Sequence, residues 1–187
     1  TDNPLLSEKM EVENEVQRLK ILKGNYLNEQ AALEAAVSRI LPSKIARLEE
    51  KISRYAKDIE LAKQTEGQEF SITIDGKTFD ERVKAGERLL ALANVSELGG
   101  DPVEIGTYRG FALTLEKGSF SGITLALRGQ EVYTGELGDS PIGAITRVEN
   151  MAERIGRSMK YEQDALEQAK LQLEEAKAQT GTPFEYE

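Results

Sequence analysis

Residues 145–176 read ITRVENMAERIGRSMKYEQDALEQAKLQLEEA, and the fold is organised around this stretch. Its apolar side chains recur at alternating steps of three and four residues, with one polar interruption at Glu162: Ile145, Val148, Ala152, Ile155, Met159, Leu166, Ala169, Leu173 and Ala176. A strip this narrow is too thin for a wide globular core and is typical of the seam of a coiled coil. We therefore expect a long helix whose helical partner lies near the other end of the same chain.

A second heptad strip in the N-terminal third of the chain is the expected partner. It consists of Ile45, Leu48, Ile52, Tyr55, Ile59 and Ala62. A similar stripe precedes it, after a helix start at Asn3-Pro4, and consists of Val12, Val16, Leu19, Tyr26, Leu33, Val37 and Ile40. Gly24 and Pro42 weaken helices, so both a kink and a break stay open at these positions. The part from Leu5 to Ile40 is long enough to extend past its partner and bind elsewhere, for example to another copy.

Between the two strips the hydrophobic period changes from helical to alternating. Phe70, Ile72 and Ile74 alternate with polar residues, and Asp75-Gly76 is a strong two-residue hairpin signal. A helix is predicted from about 80 to 94, and further strands are predicted near 103–105, 111–116, 123–127 and 131–137. These patterns predict an antiparallel sheet of four to six strands with one helix packed on its apolar face.

The predicted elements combine into an α+β fold with two parts. Residues 1–65 and 141–182 are expected to form a long antiparallel helical coiled-coil stalk. Residues 66–140 are expected to form an inserted head domain, made of a small antiparallel β-sheet and a helix. Residues 183–187 are expected to form a frayed tail.

The residue types present limit the chemistry that the chain can perform. It has 187 residues and contains neither Cys nor His. Disulfides, thiolate or imidazole metal ligands, and Ser-His or Cys-His nucleophile pairs are therefore excluded. Carboxylate acid–base pairs and oxygen-ligated Mg²⁺ or Ca²⁺ sites stay open, but no spacing of acidic residues indicates one. We predict no catalytic residue, no cofactor and no metal.

Charge and hydropathy bear on partners and location. The formal net charge is −9, and residues 66–140 hold 7 basic and 13 acidic side chains. Nonspecific nucleic-acid binding needs a positive face, so the bulk charge argues against it, although a local basic patch stays open. The apolar runs are too short to cross a membrane and no signal peptide is recognisable, so we expect a cytoplasmic protein. Because the chain opens at Thr1 without Met, we expect it to be a piece of a longer polypeptide.

Six residues are candidates for contact with nucleic acid or a partner protein: Tyr108, Arg109, Lys117, Arg128, Arg147 and Asn150. Arg109 beside aromatic residues is suited to stack on a base or bind a phosphate; alternatively, Tyr108 is core and Arg109 pairs with a carboxylate. Arg147 and Asn150 share a helical face, suited either to a ligand or to tying the helix to neighbouring strands. DNA contact also follows if several basic residues share one face of the head: Lys77, Arg82, Lys84, Arg88, Arg109, Lys117 and Arg128.

Four motifs occur in a fixed order along the chain. They are Leu41-Pro42-x-Lys44-Ile45-Ala46-x-Leu48-Glu49, Phe70-x-Ile72 followed by Asp75-Gly76-Lys77, Ile105-Gly106-x-Tyr108-Arg109-Gly110-Phe111, and Gly143-x-Ile145-x-Arg147-x-Glu149-Asn150. From about Lys9 to Phe184 the chain resembles the C-terminal region of very large helicase–adenine-specific DNA methylases of conjugative elements and phages, some described as antirestriction proteins. That family's ATP-binding glycines with Lys, its Asp-Glu-x-His box and its Asn-Pro-Pro-Tyr motif lie upstream and are absent here. The resemblance therefore implies a non-catalytic appendage on a DNA-processing enzyme.

The expected function is an accessory interaction module. The resemblance implies that it spaces or docks the helicase–methylase on a partner protein or DNA, with the upstream domains of the same polypeptide as partners. The alternative is a nucleic-acid-binding module that uses the β head. Association of copies through the long helices also stays open.

Overall fold

A computed structural model describes residues 3–186, apart from the side chain of Ser121. The chain is α+β, as predicted. Its helices are α1 (Pro4–Ala35), α2 (Leu41–Lys63), α3 (Arg82–Val95), α4 (Pro141–Glu153) and α5 (Ile155–Gln179), and a π-helical turn (Ala36–Ile40) joins α1 to α2. Its strands are β1 (Ile72–Ile74), β2 (Lys77–Phe79), β3 (Val103–Tyr108), β4 (Phe111–Lys117), β5 (Ile123–Arg128) and β6 (Val132–Glu136).

The strands form one antiparallel sheet in the order β2-β1-β3-β4-β5-β6. This confirms the predicted sheet at the upper end of its expected size. Alternate residues face the core, and the fully buried ones are Ile72, Ile74, Phe111, Leu113, Leu115, Leu125 and Leu127. The opposite face carries mainly Thr, Glu and Arg side chains and is the more polar one, although Thr114 and Ala126 on it are also buried.

Helices α3 and α4 pack on the apolar face of the sheet together with the end of α2, although the alternating pattern predicted only one helix there. Helix α3 lies where a helix was expected and buries Ala85, Leu89 and Ala93. Helix α4 packs beside it, and the backbone of Gly86 lies so close to Pro141 that a Cβ atom would not fit between them. A glycine is therefore required where the two helices meet.

Helix α4 is the place where the strip Ile145–Ala176 departs from the expected coiled-coil seam. Ile145, Val148, Ala152 and Ile155 are buried in the core under the sheet. The helix also buries Ala144 and Met151, which broadens the apolar face beyond the heptad strip. The first part of the strip therefore belongs to a globular core, and the helix is interrupted at Arg154 before α5 begins.

The residues described divide into two compact units. The helical unit comprises Thr1–Glu49 and Asp164–Glu187, and the α+β unit comprises Glu50–Gln163. The boundaries therefore fall inside α2 and α5, whereas the sequence placed them near residues 65 and 140. The reason is that α4 and the end of α2 pack into the same core as the sheet and α3.

Neither Gly24 nor Pro42 breaks the N-terminal helix, which is helical over 60 residues from Pro4 to Lys63. Pro42 follows the π-helical turn, in which the Leu41 N–H donates to the carbonyl of Ala36, five residues back. A π turn inserts one residue and widens the helix, which accommodates a proline that would clash with the carbonyl four residues back.

The inserted residue also shifts the apolar stripe of the helical unit. The half-buried side chains of this stripe are Leu33, Val37, Leu41, Ile45 and Leu48. The first and the last of them are one residue further apart than two heptads, which is the residue that the π turn inserts. The prediction that Ile40 belongs to the stripe was therefore wrong: Ile40 is 49% exposed and its neighbour Leu41 takes the position.

Within the helical unit, the two segments run in opposite directions. Lys170 Nζ lies 3.9 Å from a Glu49 carboxylate oxygen, whereas the Gly181 N–H donates to Gln30 Oε1 at 2.9 Å. Tyr26 continues the contact, because its hydroxyl donates to the carbonyl of Thr182 and its ring lies 5.3 Å from that of Phe184.

The tail thus contacts α1, where fraying was expected. Ala169 and Ala176 are buried, as the heptad strip requires. The finer prediction, a coiled-coil stalk, stays a prediction.

Within the α+β unit, Asp58 on α2 docks the helix onto the β5–β6 hairpin. Its side chain is 1% exposed. One carboxylate oxygen accepts the Gln130 N–H at 2.7 Å, and the other accepts the Glu131 N–H at 3.0 Å and the Tyr133 hydroxyl at 2.6 Å. Arg54, one helical turn earlier, adds a 2.6 Å bond to the Glu131 carboxylate. A buried carboxylate is thus compensated by three donors from one hairpin.

Replacing Asp58 with Ala is expected to destabilise the protein by about 3–5 kcal/mol, because it leaves two backbone N–H groups and a buried phenol without an acceptor. The matched control is Glu60→Ala, an exposed carboxylate on the same helix, for which we expect a change within about 0.5 kcal/mol. Urea unfolding curves measure both. Equal shifts for the two variants would contradict the docking role.

Tyr133 makes the same contact sensitive to alkaline pH. Burial, with the hydrogen bond to the Asp58 carboxylate, raises the pKa of the Tyr133 phenol above its ordinary value of 10.0. Above pH 10 the Tyr133 phenol loses its proton in the unfolded chain but keeps it in the folded chain. Tyr133 therefore lowers the free energy of unfolding by about 1.4 kcal/mol for each unit that the pH rises above 10. Urea midpoints from pH 8 to 11 should fall less steeply for Tyr133→Phe than for the wild type. An unchanged slope would mean that Tyr133 ionises normally.

Candidate functional site

Tyr108 and Arg109 lie at the tight turn between β3 and β4. Arg109 (φ 51°) and Gly110 (φ 86°) both have left-handed backbone conformations, as a two-residue hairpin turn requires. The first of these conformations is unfavourable for an arginine. A specific contact of the side chain must therefore offset the strain.

That contact is with the end of α2. The Arg109 guanidinium donates to the carbonyl of Ala62 at 2.7 Å and to Thr65 Oγ1 at 2.8 Å. A cation at the C-terminus of a helix bonds to carbonyls that lack a partner within the helix and is favoured by the helix dipole. Arg109 is thus a helix cap, a role that neither sequence-based alternative included. Tyr108 is 8% exposed in the core, with its ring 6.3 Å from that of Phe70.

Lys117 and Arg128 lie at opposite ends and on opposite faces of the β4–β5 pair. Lys117 pairs with Ile123, and Arg128 pairs with Ala112 at the other end of the ladder. Arg128 Nε donates to Thr114 Oγ1 at 3.1 Å, on the face of the sheet opposite the helices, where Thr114 is buried. The two cations therefore do not form a joint binding surface.

Arg147 and Asn150 lie on α4, whereas the other four candidate residues lie on strands β3, β4 and β5 or in the turn between β3 and β4. Arg147 donates to the carbonyl of Leu137 at 3.2 Å and packs against Gly138, whose φ of 71° turns the chain between β6 and α4. Asn150 is exposed. Arg147 therefore ties the helix to the preceding strand, one of the two roles that the sequence left open.

The larger basic set does not form an unpaired positive face. Arg82 lies 2.9 Å from the Glu149 carboxylate and Lys84 lies 2.8 Å from that of Glu81. Arg88 pairs with Asp75 and Arg128 lies 3.9 Å from Glu116. Each of these four cations has a carboxylate as its neighbour, which lowers the positive potential that it presents to a phosphate backbone.

A cavity of about 690 Å³ lies beside Arg109, between the end of α2, the start of β1 and the α4–α5 junction. Its charged lining residues are Lys63, Glu66, Glu69, Arg109 and Glu153. In residues 3–186, no buried side-chain polar atom lacks a hydrogen-bond partner, and no cluster of acidic residues is arranged to hold a metal ion. The described lining of the cavity therefore offers no buried side-chain polar atom that lacks a hydrogen-bond partner.

The most distinctive exposed surface is on α1, and the sequence indicated it only as an overhang. No side chain of Pro4–Ala35 is buried. We call the N-terminal part of its apolar stripe the α1 surface, defined by Leu5 (74% exposed), Val12 (63%) and Val16 (45%). At 100° per residue, these three side chains lie within about 40° of one another around the helix. Leu6 and Met10, both 56% exposed, lie to one side.

Known proteins add no further constraint. No family model, no curated protein and no solved structure gives a significant match to the chain. The resemblance to the helicase–methylase family stays a prediction. Among the helices of the described residues, none is both long enough and apolar enough to cross a membrane.

Arg109→Ala is expected to lower the free energy of unfolding by about 1–2 kcal/mol, because the helix end loses its charged donor while the strained turn remains. Arg109→Lys keeps the charge but loses the planar fork, so a smaller loss is expected. Lys117→Ala, at an exposed strand end, is the control and should change stability by less than about 0.5 kcal/mol. Chemical denaturation of the three variants measures this order. If Arg109→Ala is as stable as the control, the cap has no energetic role.

Proposed function

We propose that the chain is a non-catalytic interaction module that docks a larger assembly through helix α1. In the context implied by the family resemblance, that assembly is the helicase–methylase polypeptide, and its upstream domains are the first partner to test. The module spaces or docks the enzyme and performs no chemistry of its own. It needs no cofactor for this role.

The exposure of α1 is the observation that carries the proposal. A helix in water is marginally stable on its own and normally gains its stability by burying an apolar face. Helix α1 is 32 residues long and buries no side chain, yet it presents Leu5, Val12 and Val16 on one side. A second apolar surface placed against this side would supply the missing burial.

The rest of the helical unit suggests how such a partner would bind. We propose that α1 and α5 pair as an antiparallel coiled coil from about Leu19 onward, with Leu166, Ala169, Leu173 and Ala176 on the α5 side. The half-buried and buried positions of both segments repeat every three or four residues, which supports this pairing. Leu5, Val12 and Val16 precede the paired region, so they continue the same seam and stay exposed among residues 3–186.

The alternative of a nucleic-acid-binding head has less support. Its arginines cap a helix, hold a loop or face carboxylates, and the net charge is −9. A phosphate-binding surface needs cations that are free to release counterions. A mobility-shift assay with duplex and single-stranded DNA across a salt series discriminates the two functions, and a steep salt dependence would favour the alternative.

Charge placed on the α1 surface is expected to abolish docking without unfolding the protein. The variant is Val12→Glu with Val16→Glu, and the matched control is Asn14→Glu with Gln17→Glu, two exposed residues on another side of the same helix. We expect binding of the separately expressed upstream domains to weaken by about tenfold or more for the valine variant only. Isothermal titration calorimetry measures the affinities, and circular dichroism checks that both variants keep their helix content.

Two results would remove the proposal. One is equal binding by the valine variant and its control, which would place the contact elsewhere. The other is the absence of any complex between the wild-type chain and the upstream domains at concentrations up to about 100 μM, well above the range of specific domain contacts.

A further inference from the structure

Strand β6 is an edge of the sheet with an unused row of backbone hydrogen-bonding groups. The Leu137 N–H donates to the carbonyl of Ile123, and the Gly129 N–H donates to that of Glu131. Because antiparallel ladders alternate, the odd-numbered residues of β6 bond to β5 and the even-numbered ones point away from it. Val132, Thr134 and Glu136 therefore direct their N–H and C=O groups outward.

These outward groups have no hydrogen-bond partner among the bonds of residues 3–186, and the strand is accessible. Val132 is 47% exposed, and Thr134 and Glu136 are also exposed. The other edge, β2, has three residues and carries Lys77, two features that discourage strand addition. Strand β6 has five residues with no Lys or Pro, so it is the less protected edge.

We propose that β6 pairs antiparallel with β6 of a second copy of this chain, about a two-fold axis at Thr134. In this register Thr134 faces Thr134 of the second copy, and Val132 faces Glu136. Each of the three pairs joins two outward-pointing residues, so each exchanges two hydrogen bonds. A register centred elsewhere leaves at least one of these residues without a strand partner.

Charge also selects the register centred on Thr134. The Glu136 carboxylates of the two copies are then about 13 Å apart along the strands, beyond the Debye length of about 8 Å at physiological ionic strength. A register centred on Glu136 would place the two acids directly opposite each other, which is unfavourable. A Thr–Thr pair at the axis contributes a favourable cross-strand contact.

The pairing closes on itself and is limited in strength. A two-fold contact uses the β6 edge of both copies and leaves only the short β2 edges, so it produces a dimer and no fibre. The contact consists mainly of about six backbone hydrogen bonds between two five-residue strands, which is a small contact for a stable dimer. The dimer is therefore a weak one, with a dissociation constant in the micromolar range or above.

Opposite charges at position 132 test the register. The dimer contains two pairs of Val132 with Glu136, one for each copy. Val132→Lys places a cation opposite Glu136 in both pairs, and Val132→Asp places an acid opposite Glu136 in both. Sedimentation equilibrium of the full chain should show association about fivefold or more tighter for Val132→Lys and about fivefold or more weaker for Val132→Asp. Within one copy Val132 pairs with Arg128, so Val132→Lys should destabilise the single copy and Val132→Asp should stabilise it. These changes are opposite in sign to those expected for the dimer, so a loss of fold would not explain the changes in association.

A backbone variant provides the second test. Thr134→Pro removes an outward N–H without removing a bond to β5, and should abolish the dimer, whereas Thr134→Val should keep it. The proposal is overturned if the wild-type chain stays monomeric up to about 1 mM, if both charge variants associate equally, or if Thr134→Pro still dimerises. It is also overturned if Val12→Glu with Val16→Glu abolishes the dimer, since the copies would then associate through α1. The failure of either proposal therefore leaves the other testable.

Discussion

The buried carboxylate of Asp58 is the contact on which the α+β unit depends most. A charge removed from water is tolerated only when its oxygens are fully hydrogen-bonded, and here one hairpin supplies all three donors. Because the donors are two backbone amides and a buried tyrosine, the helix and the β5–β6 turn fix each other's position. The Arg109 contact does the same for the β3–β4 turn. Helix α2 is thus held at two neighbouring hairpins by one acid and one base.

This use of charged residues determines where function is to be sought. Arg109, Arg128 and Arg147 satisfy carbonyl or hydroxyl groups of the fold, so their side chains are occupied by structural contacts. Two groups among residues 3–186 that lack such contacts are the apolar side chains at the start of α1 and the outward backbone amides and carbonyls of the β6 edge. Both kinds match another polypeptide better than a phosphate or a small substrate, since they offer burial and hydrogen bonds without concentrated charge.

The element types and much of the core follow from local patterns. Alternation in β4 and β5, the Asp75-Gly76 turn and the heptad strip were readable because each depends on residues close together in the chain. Their positions agree with the structure, including burial at Ile145, Ala169 and Ala176. The candidate contact residues were less predictable, because an arginine beside a turn has the same local sequence whether it caps a helix or binds a phosphate.

The sequence by itself thus determined the α+β class, the strand and helix segments and the faces they bury, since periodicity is a local property. Only the tertiary structure decided what lies against each face. It assigned Ile145 and Val148 to the sheet core, gave Asp58 three donors more than 70 residues away, and placed a π turn before Pro42 that moved the stripe from Ile40 to Leu41. These outcomes depend on which distant groups meet, and residue spacing along one segment carries no information about that.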